Sequence, residues 1–529
     1  MGIISQSLFS VSLYETLGPD TTEYIINHAS LPSVICSLPH IPTLLKLAPR
    51  IPTLKVIISL DPVDAGEQAG YTKLDVLNAM ASQHGIKIYS MEEVIGIGAQ
   101  SGRKPRPPRK EDICTINYTS GTTGAPKGVV LTHENALAGI SGGRANGSAR
   151  HGDVHISYLP LAHIYGRMAD QVALGEGCRV GYFHGDIAGL VDDMKILGPT
   201  GLMSVPRLYN KFNSAIRAAT IEADGIKGSL SRHIIDTKKA NMKKPAGQAS
   251  NTHLLYDRIW TPKVKAAVGL QNAHSMISGS AQLDPDVHEF LRAAFGNSFL
   301  QGYGLTESYA VASVQLRGDL TIGNVGPPAP CVEACLESVP DMEYLVTDKP
   351  CPRGELLLRG PGIFREYYRN EEETKKALDA DGWFHTGDVA EFDSLGRIKI
   401  IDRKKNVLKL SQGEYISPER IENVYLGSQS IAATAYVHGD PNQSHLVGIF
   451  GIDPVAFAPF ASKILKKPID QADVASLKAA AAEPAVRKAF LKILDDIGKT
   501  HKFNSFEKVR NAALHIDPFT VDNELLTPT

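Results

Sequence analysis

At 529 residues the chain is longer than one ordinary hydrophobic core supports, so two or more domains are expected. Its 55 Lys and Arg against 57 Asp and Glu leave a net charge of −2, which removes the electrostatic case for nucleic acid or an anionic membrane as the main partner. Hydrophobic content of 43 % and charged content of 21 % suit a soluble globular protein, and six cysteines without Cys-x-x-Cys spacing suit reduced intracellular thiols better than disulfides or zinc. No apolar run reaches the ~18 residues that span a bilayer. The N-terminus lacks the basic region of a signal peptide, Gln6 spoils a myristoylation motif, and Thr527-Pro528-Thr529 is not a peroxisomal tail. No address is readable.

In chain order, 54–60 and 86–89 are short β-branched runs, and 73–84 between them carries helical spacing at Val76, Leu77 and Met80. That is a βαβ unit and predicts a parallel sheet. Residues 103–110 hold three prolines among five cations and read as an extended solvated connector. Residues 113–118 alternate apolar and polar side chains, as a strand running into a turn does. Thr132 then caps a helix through Ala136 and Ile140. Strands are expected at 179–183, 201–205, 275–278 and 298–301, and 236–253, rich in Lys, Asn and Gly, reads as a mobile surface excursion. From 343 onward short alternating strands, including 355–358 and 397–401, predict a β-rich subdomain. After a charged break at 402–406, strands at 431–438 and 445–451 and a helix over 475–497 interrupted near Pro484 make a small α+β domain. The expected fold is α/β: a large N-terminal domain (1–401) of layered parallel sheets with helices plus the β-rich subdomain, a hinge (402–406), and a small mobile α+β C-terminal domain (407–529).

The stretch Tyr118-Thr119-Ser120-Gly121-Thr122-Thr123-Gly124-Ala125-Pro126-Lys127-Gly128 carries three glycines and four Ser/Thr hydroxyls in eleven residues. Glycines let backbone N–H groups approach an anion, hydroxyls donate more hydrogen bonds, and Lys127 adds a positive charge. The set suits polyphosphate oxygens, and it lacks Walker spacing. A hydroxyl-rich surface loop is the plain alternative. In Gln301-Gly302-Tyr303-Gly304-Leu305-Thr306-Glu307, just past a strand, a ring, a hydroxyl and a carboxylate are placed to stack a base, contact a phosphate and hold a divalent cation. The plain alternative there is a glycine-rich turn with a buried tyrosine. Trp383-Phe384-His385-Thr386-Gly387-Asp388 sets a carboxylate beside a turn, suited to two ribose hydroxyls or to turn formation alone.

Together these motifs resemble the AMP-forming, adenylate-forming enzymes, which include acyl-CoA synthetases, aryl-CoA ligases, luciferases and peptide-synthetase adenylation domains. The resemblance implies that Thr119, Ser120, Gly121, Thr122, Thr123, Gly124 and Lys127 hold the phosphates of ATP. It implies adenine stacking on Tyr303, flanked by Gln301, Gly302 and Gly304, and an α-phosphate contact from Thr306. Glu307 and Thr122 would hold Mg²⁺, and Lys127, Thr306 and Glu307 would act catalytically. Ser278-Gly279-Ser280-Ala281-Gln282 is similar to the adenine-side loop, with Ser280 in the site and Gln282 where proline is usual. Asp388 would be the ribose ligand assisted by Arg403, Asp402 the hinge, and Gly413, within Lys409-Leu410-Ser411-Gln412-Gly413-Glu414, the point of approach for the pantetheine arm of coenzyme A. Tyr158-Leu159-Pro160-Leu161-Ala162-His163-Ile164-Tyr165 resembles the acyl-pocket segment of the long-chain branch, which assigns His163 and Tyr165 to substrate. Gly166 stands where that segment is expected to carry glutamate.

The activity so implied couples a fatty-acid-like carboxylic acid to AMP, releasing pyrophosphate, and then to coenzyme A. A carboxylate is a poor electrophile, and the mixed anhydride makes it one that a thiol attacks. The first step joins two anions, so Mg²⁺, Lys127 and the loop donors must neutralise charge as it shifts. Peripheral seating on peroxisome, endoplasmic reticulum or lipid droplet also comes with the resemblance, while oligomeric state is left open. Both ends read as short of the family's usual extent, the C-terminal one stopping before a lysine that contacts the carboxylate and α-phosphate. Loss of such a donor typically costs ~3–4 kcal/mol, or about 10²–10³ in rate. This leaves a second class open, a nucleotide- or acyl-binding protein without full turnover, beside an aryl- or amino-acid-activating relative.

Overall fold

The computed structural model describes the chain apart from residues 1, 15–17, 64–71, 120–124, 146–148, 246, 405, 407, 411–414, 441–442, 517–518 and 520–529. Its described residues form two compact units, one within 1–133 with 365–370, the other within 134–364 with 371–520.

In the first unit Ser33–Cys36, Val56–Ser59 and Lys87–Ser90 form the expected parallel sheet, with Val56–Ser59 central. The crossover helix Lys73–Ser82 starts at a capping box in which Thr72 and Asp75 satisfy each other's backbone N–H groups. Its inner face differs from the expected one. Ala81, Leu74 and Leu77 pack on the core, while Val76 and Met80 are 60 % and 52 % exposed. A second sheet pairs Ser10–Ser12 parallel to Ile113–Thr119, which returns antiparallel through Lys127–Thr132 to Glu366–Tyr367. The alternation at 113–118 does not mark a wet and a dry face. Thr115 and Asn117 are as buried as Ile116, and their polar atoms are used sideways, Thr115 Oγ1 donating to Asn117 Oδ1 and meeting Ser10 Oγ. The strand is buried on both faces.

The second unit is built on parallel strands Gly201–Ser204, Ser275–Ser278 and Ser298–Tyr303, closed on one edge by antiparallel Ser313–Val314. Tyr209, Phe212, Phe290, Phe295 and Phe299 fill the space between this sheet and helices Pro206–Ala219 and Pro285–Phe295. The expected excursion at 236–253 is corrected over its first half: helix Gly225–Met242 runs through it. A stripe of Gly228, Ser231, Ile235, Lys238 and Met242 at three- and four-residue spacing is buried there. Lys238 is fully buried, a placement a lysine tolerates only when paired, and Asp257 Oδ1 lies 2.6 Å from its Nζ. Polar composition concealed an amphipathic helix.

Strands Glu333–Glu337, Arg353–Arg359, Phe384–Phe392 and Ile398–Arg403 make the expected β-rich sheet, antiparallel throughout. The charged break therefore begins inside a strand, since Asp402 and Arg403 pair with Val389 and Asp388. Beyond it, Ala432–Gly439, Leu446–Ile452 and Val509–His515 form a sheet against helices Pro418–Ser428, Pro454–Leu465, Val474–Ala482 and Pro484–Thr500. Tyr425, Phe450, Phe457, Phe490 and Leu494 form a core local to this segment. No helix among the described residues is long and apolar enough to cross a membrane.

Candidate active site

The strand Ser298–Tyr303 ends in a 3₁₀ turn, Thr306–Ser308, and Tyr309 and Ala310 take left-handed backbone angles that fold the chain back on itself. A Cβ at Gly304 would lie 2.1 Å from the carbonyl oxygen of Ala310, so only glycine fits that crossing. The turn leaves Tyr303 facing the neighbouring sheet, where its hydroxyl donates to Asp388 Oδ2 at 2.5 Å. Arg403, the cross-strand partner of Asp388, brings Nε to 3.2 Å from the other carboxylate oxygen.

Asp388 is 3 % exposed. Burial pushes its carboxyl above the usual range, although Arg403 and the Tyr303 hydroxyl pull it down. Tyr303 is driven well above a free phenol by burial and by the Asp388 charge, so it remains a hydrogen-bond donor. Burial disfavours the Arg403 cation, but Asp388, Glu419, Tyr303 and Glu307 together hold it charged. The result is a fixed carboxylate whose orientation is set from both sides, able to accept further O–H donors.

A cleft opens beside it, lined by Ser280, Gln282, Gln301, Gly302, Tyr303, Gly304, Asp388, Asp402 and Arg403 among others. Thus Ser280, Gln301 through Gly304, Asp388, Asp402 and Arg403 meet around one space. Ser280 takes φ +76° to enter it, and Gln282 donates to the Ile400 carbonyl at 2.5 Å, tying the loop to the adjacent sheet. Gln301 is turned the other way: Oε1 accepts from Leu283 N–H at 3.2 Å and Nε2 lies 3.1 Å from His288 Nδ1. That places its side chain in a buried His288–Arg292–Gln315 network behind the strand. Thr306 and Glu307 follow at the strand's end, and Glu307 is 9 % exposed with its carbonyl accepting from Phe364 N–H.

Thr119 and Lys127 sit opposite each other at the root of the hairpin in the first unit, Lys127 Nζ lying 5.0 Å from the Tyr367 ring centroid. Ser120, Gly121, Thr122, Thr123, Gly124 and Gly413 lie outside the described residues. His163 caps helix Ile164–Gly175, its Nδ1 accepting from Tyr165 N–H. Tyr165 is buried with its hydroxyl donating to the Ile277 carbonyl at 3.3 Å. Gly166 has a local reason: a Cβ there would stand 2.7 Å from the Pro160 carbonyl oxygen, which excludes the glutamate expected at this position. Behind the helix a small space of mixed lining, with Ala169, Val172, Leu202 and Ile277 beside Asp153, His155 and Thr200, reaches the sheet.

Asp402 is 8 % exposed, and burial raises its carboxyl from 3.8 to about 6. The raised folded value means the acid form is favoured by folding below about 3.8, and that contribution is lost as pH rises through 6. Asp402→Asn is therefore expected to leave stability unchanged near pH 4 and to raise it by about 1–3 kcal/mol near pH 8. Thermal melts at the two pH values check this, and an equal shift at both would refute it.

Two buried residues of this region, Glu355 and Arg292, lie outside every sequence motif described above. Glu355 looked like one polar position of an alternating strand. Arg292 sat one helical turn after His288 in an apolar stripe, a spacing that does signal a buried pair.

Residues 1–368 match the family described as AMP-binding enzyme. Over its full length the chain is 59 % identical to a Penicillium roqueforti protein named acyl-CoA ligase 891, peroxisomal, spanning 75 % of that protein. The chain belongs to the AMP-binding enzyme family. This AMP-binding enzyme is also 40 % identical, over 99 % of its length and 72 % of the relative's, to long chain acyl-CoA synthetase 7, peroxisomal, of Arabidopsis thaliana. Among solved structures it superposes with a TM-score of 0.78 on the A domain of carboxylic acid reductase from Segniliparus rugosus in complex with AMP and a co-purified carboxylic acid. That match covers 99 % of this chain and 76 % of the other at 23 % identity, and it establishes the adenylate-forming fold.

Proposed function

We propose that this AMP-binding enzyme is a long-chain fatty acid–CoA ligase, which activates a carboxylic acid with ATP to an acyl-adenylate and passes the acyl group to coenzyme A. The observation that carries the reading is Asp388, a nearly buried carboxylate held between the Tyr303 hydroxyl and Arg403 at the mouth of a cleft. Two vicinal hydroxyls of a ribose are the donors such a carboxylate takes, and the Tyr303 ring borders the same space for a base. The names of the Penicillium and Arabidopsis relatives support the acyl-CoA product and a peroxisomal site of action.

In this reading Asp388 and Arg403 orient the nucleoside, and Tyr303 stacks on its base. Lys127 and the hydroxyls of 119–123 screen the phosphates as the carboxylate oxygen attacks the α-phosphorus and pyrophosphate leaves. Mg²⁺, when bound, spreads the developing phosphate charge, and Glu307, a carboxylate only 9 % exposed at the strand's end, would hold it with Thr122. The segment after Asp402 has its own core, which suits a division into 1–401, a hinge at 402–406 and a lid from 407 that excludes water from the anhydride. Pyrophosphate release measured across aliphatic, aryl and amino acids is expected to be fastest with long aliphatic acids. Release with aryl acids alone would replace this substrate assignment, and no release with any fatty acid would end it.

A further inference from the structure

We infer that Glu355 is a positioning residue that clamps the ribose-facing turn to the segment following Asp402; this rests on the nucleotide reading of Asp388. Glu355 lies on strand Arg353–Arg359, is 4 % exposed, and spends both carboxylate oxygens on backbone and hinge rather than on a pocket. Oε1 accepts from Gly387 N–H at 3.0 Å, and Oε2 receives Lys404 Nζ at 2.8 Å. Lys404 closes the loop, because its own N–H donates to the Gly387 carbonyl at 2.8 Å. Both polar groups of the Gly387 peptide are thus fixed by one acid–base pair, one residue before Asp388. Gly387 takes φ +74°, a conformation that glycine leaves as readily as it enters, and the pair adds to what the flanking ladder and Thr386 Oγ1, which donates to Leu356 O and accepts from Asp388 N–H, already supply.

A metal reading of the same neighbourhood fails on this geometry. Glu337, Glu355 and His385 converge there, but a cation would have to displace the Lys404 ammonium from a carboxylate already satisfied at both oxygens. The pair also has a direction. Glu355 sits on the rigid sheet, whereas Lys404 stands just past the end of strand Ile398–Arg403, so moving that segment away strands a buried charge. The clamp therefore favours the arrangement in which Asp388 faces the cleft.

The test compares AMP with 2′,3′-dideoxy-AMP by calorimetry on the full chain, with thermal melts alongside. The native chain is expected to prefer AMP. In Glu355→Gln, whose single acceptor oxygen can serve Gly387 N–H or Lys404 but not both, AMP affinity is expected to fall about 10- to 100-fold, with the preference over the dideoxy compound collapsing. Lys404→Met, which leaves the buried Glu355 unpaired and is expected to lower the melting temperature too, should move the preference the same way, and Lys404→Arg should keep it. A merely structural Glu355 would lower the melting temperature and weaken both ligands equally, leaving the preference intact in both variants, and that result overturns the clamp. If the native chain bound neither ligand, the nucleotide reading would fall with it.

Discussion

Asp388→Ala is expected to abolish measurable AMP binding at ordinary ligand concentrations, with an affinity loss of about 10²- to 10⁴-fold. The estimate follows from two hydrogen bonds to a charged acceptor at ~1.5–3 kcal/mol each. The loss should fall more on nucleotide affinity than on folding, because of the two partners left behind Arg403 is half exposed and can turn to water, and the Tyr303 hydroxyl borders the cleft. Asp388→Asn keeps an acceptor oxygen and should lie between native and alanine. Titration calorimetry with AMP decides, and an alanine variant within the ~0.5 kcal/mol scatter of ordinary surface substitutions would remove Asp388 from the site.

Arg292→Met is expected to cost about 3–5 kcal/mol of stability, the largest effect on folding foreseen for a single side chain here. The guanidinium is 1 % exposed, and burial lowers it only to about 10, so it is charged at neutral pH. It donates to Phe299 O from Nε and Nη2 at 3.0 and 2.7 Å, to Gln315 Oε1 at 3.0 Å and to Thr321 O at 3.1 Å. Methionine fills most of the volume but removes the four charge-assisted bonds, so Phe299 O, Gln315 Oε1 and Thr321 O are each left with one weaker partner, His288, the Gln301 N–H and Gln315 Nε2 respectively. Since Gln315 Oε1 also accepts from Gln301 N–H at 2.9 Å, the strand leading to Tyr303 should loosen as well. A melting temperature unchanged within about 1 °C would show that the network carries no net stability.

Period and punctuation located the elements well. The parallel unit at 54–90, the strand pair 201–204 and 275–278, and the helix break at Pro484 all stood where β-branched runs, helical spacing and proline put them, while the neighbouring strand Ser33–Cys36 had no such mark. Facing was less legible, because a face is defined by what packs on it. Val76 and Met80 have helical spacing yet point outward, and Thr115 and Asn117 look solvent-facing yet are buried in a sheet covered on both sides. Composition misled most at 236–242, where one buried ion pair, Lys238 with Asp257, outweighs the polar texture. In the site, residues on contiguous motifs were legible. Glu355 was not, since its partners come from a turn 32 residues and a lysine 49 residues further on, and no local pattern encodes such a meeting. Gln301 lies within a motif, but its role depends on which side of the strand its amide takes.

The ladder between Phe384–Phe392 and Ile398–Arg403 has one more implication. Asp388 is opposite Arg403, and the next rung joins Val389 to Asp402, so the proposed acceptor for the sugar and the proposed pivot of the C-terminal segment share neighbouring cross-strand pairs. Unzipping these rungs would release both together. Occupancy of the cleft and rotation at the pivot are then thermodynamically reciprocal: whatever factor one imposes on the other is returned unchanged.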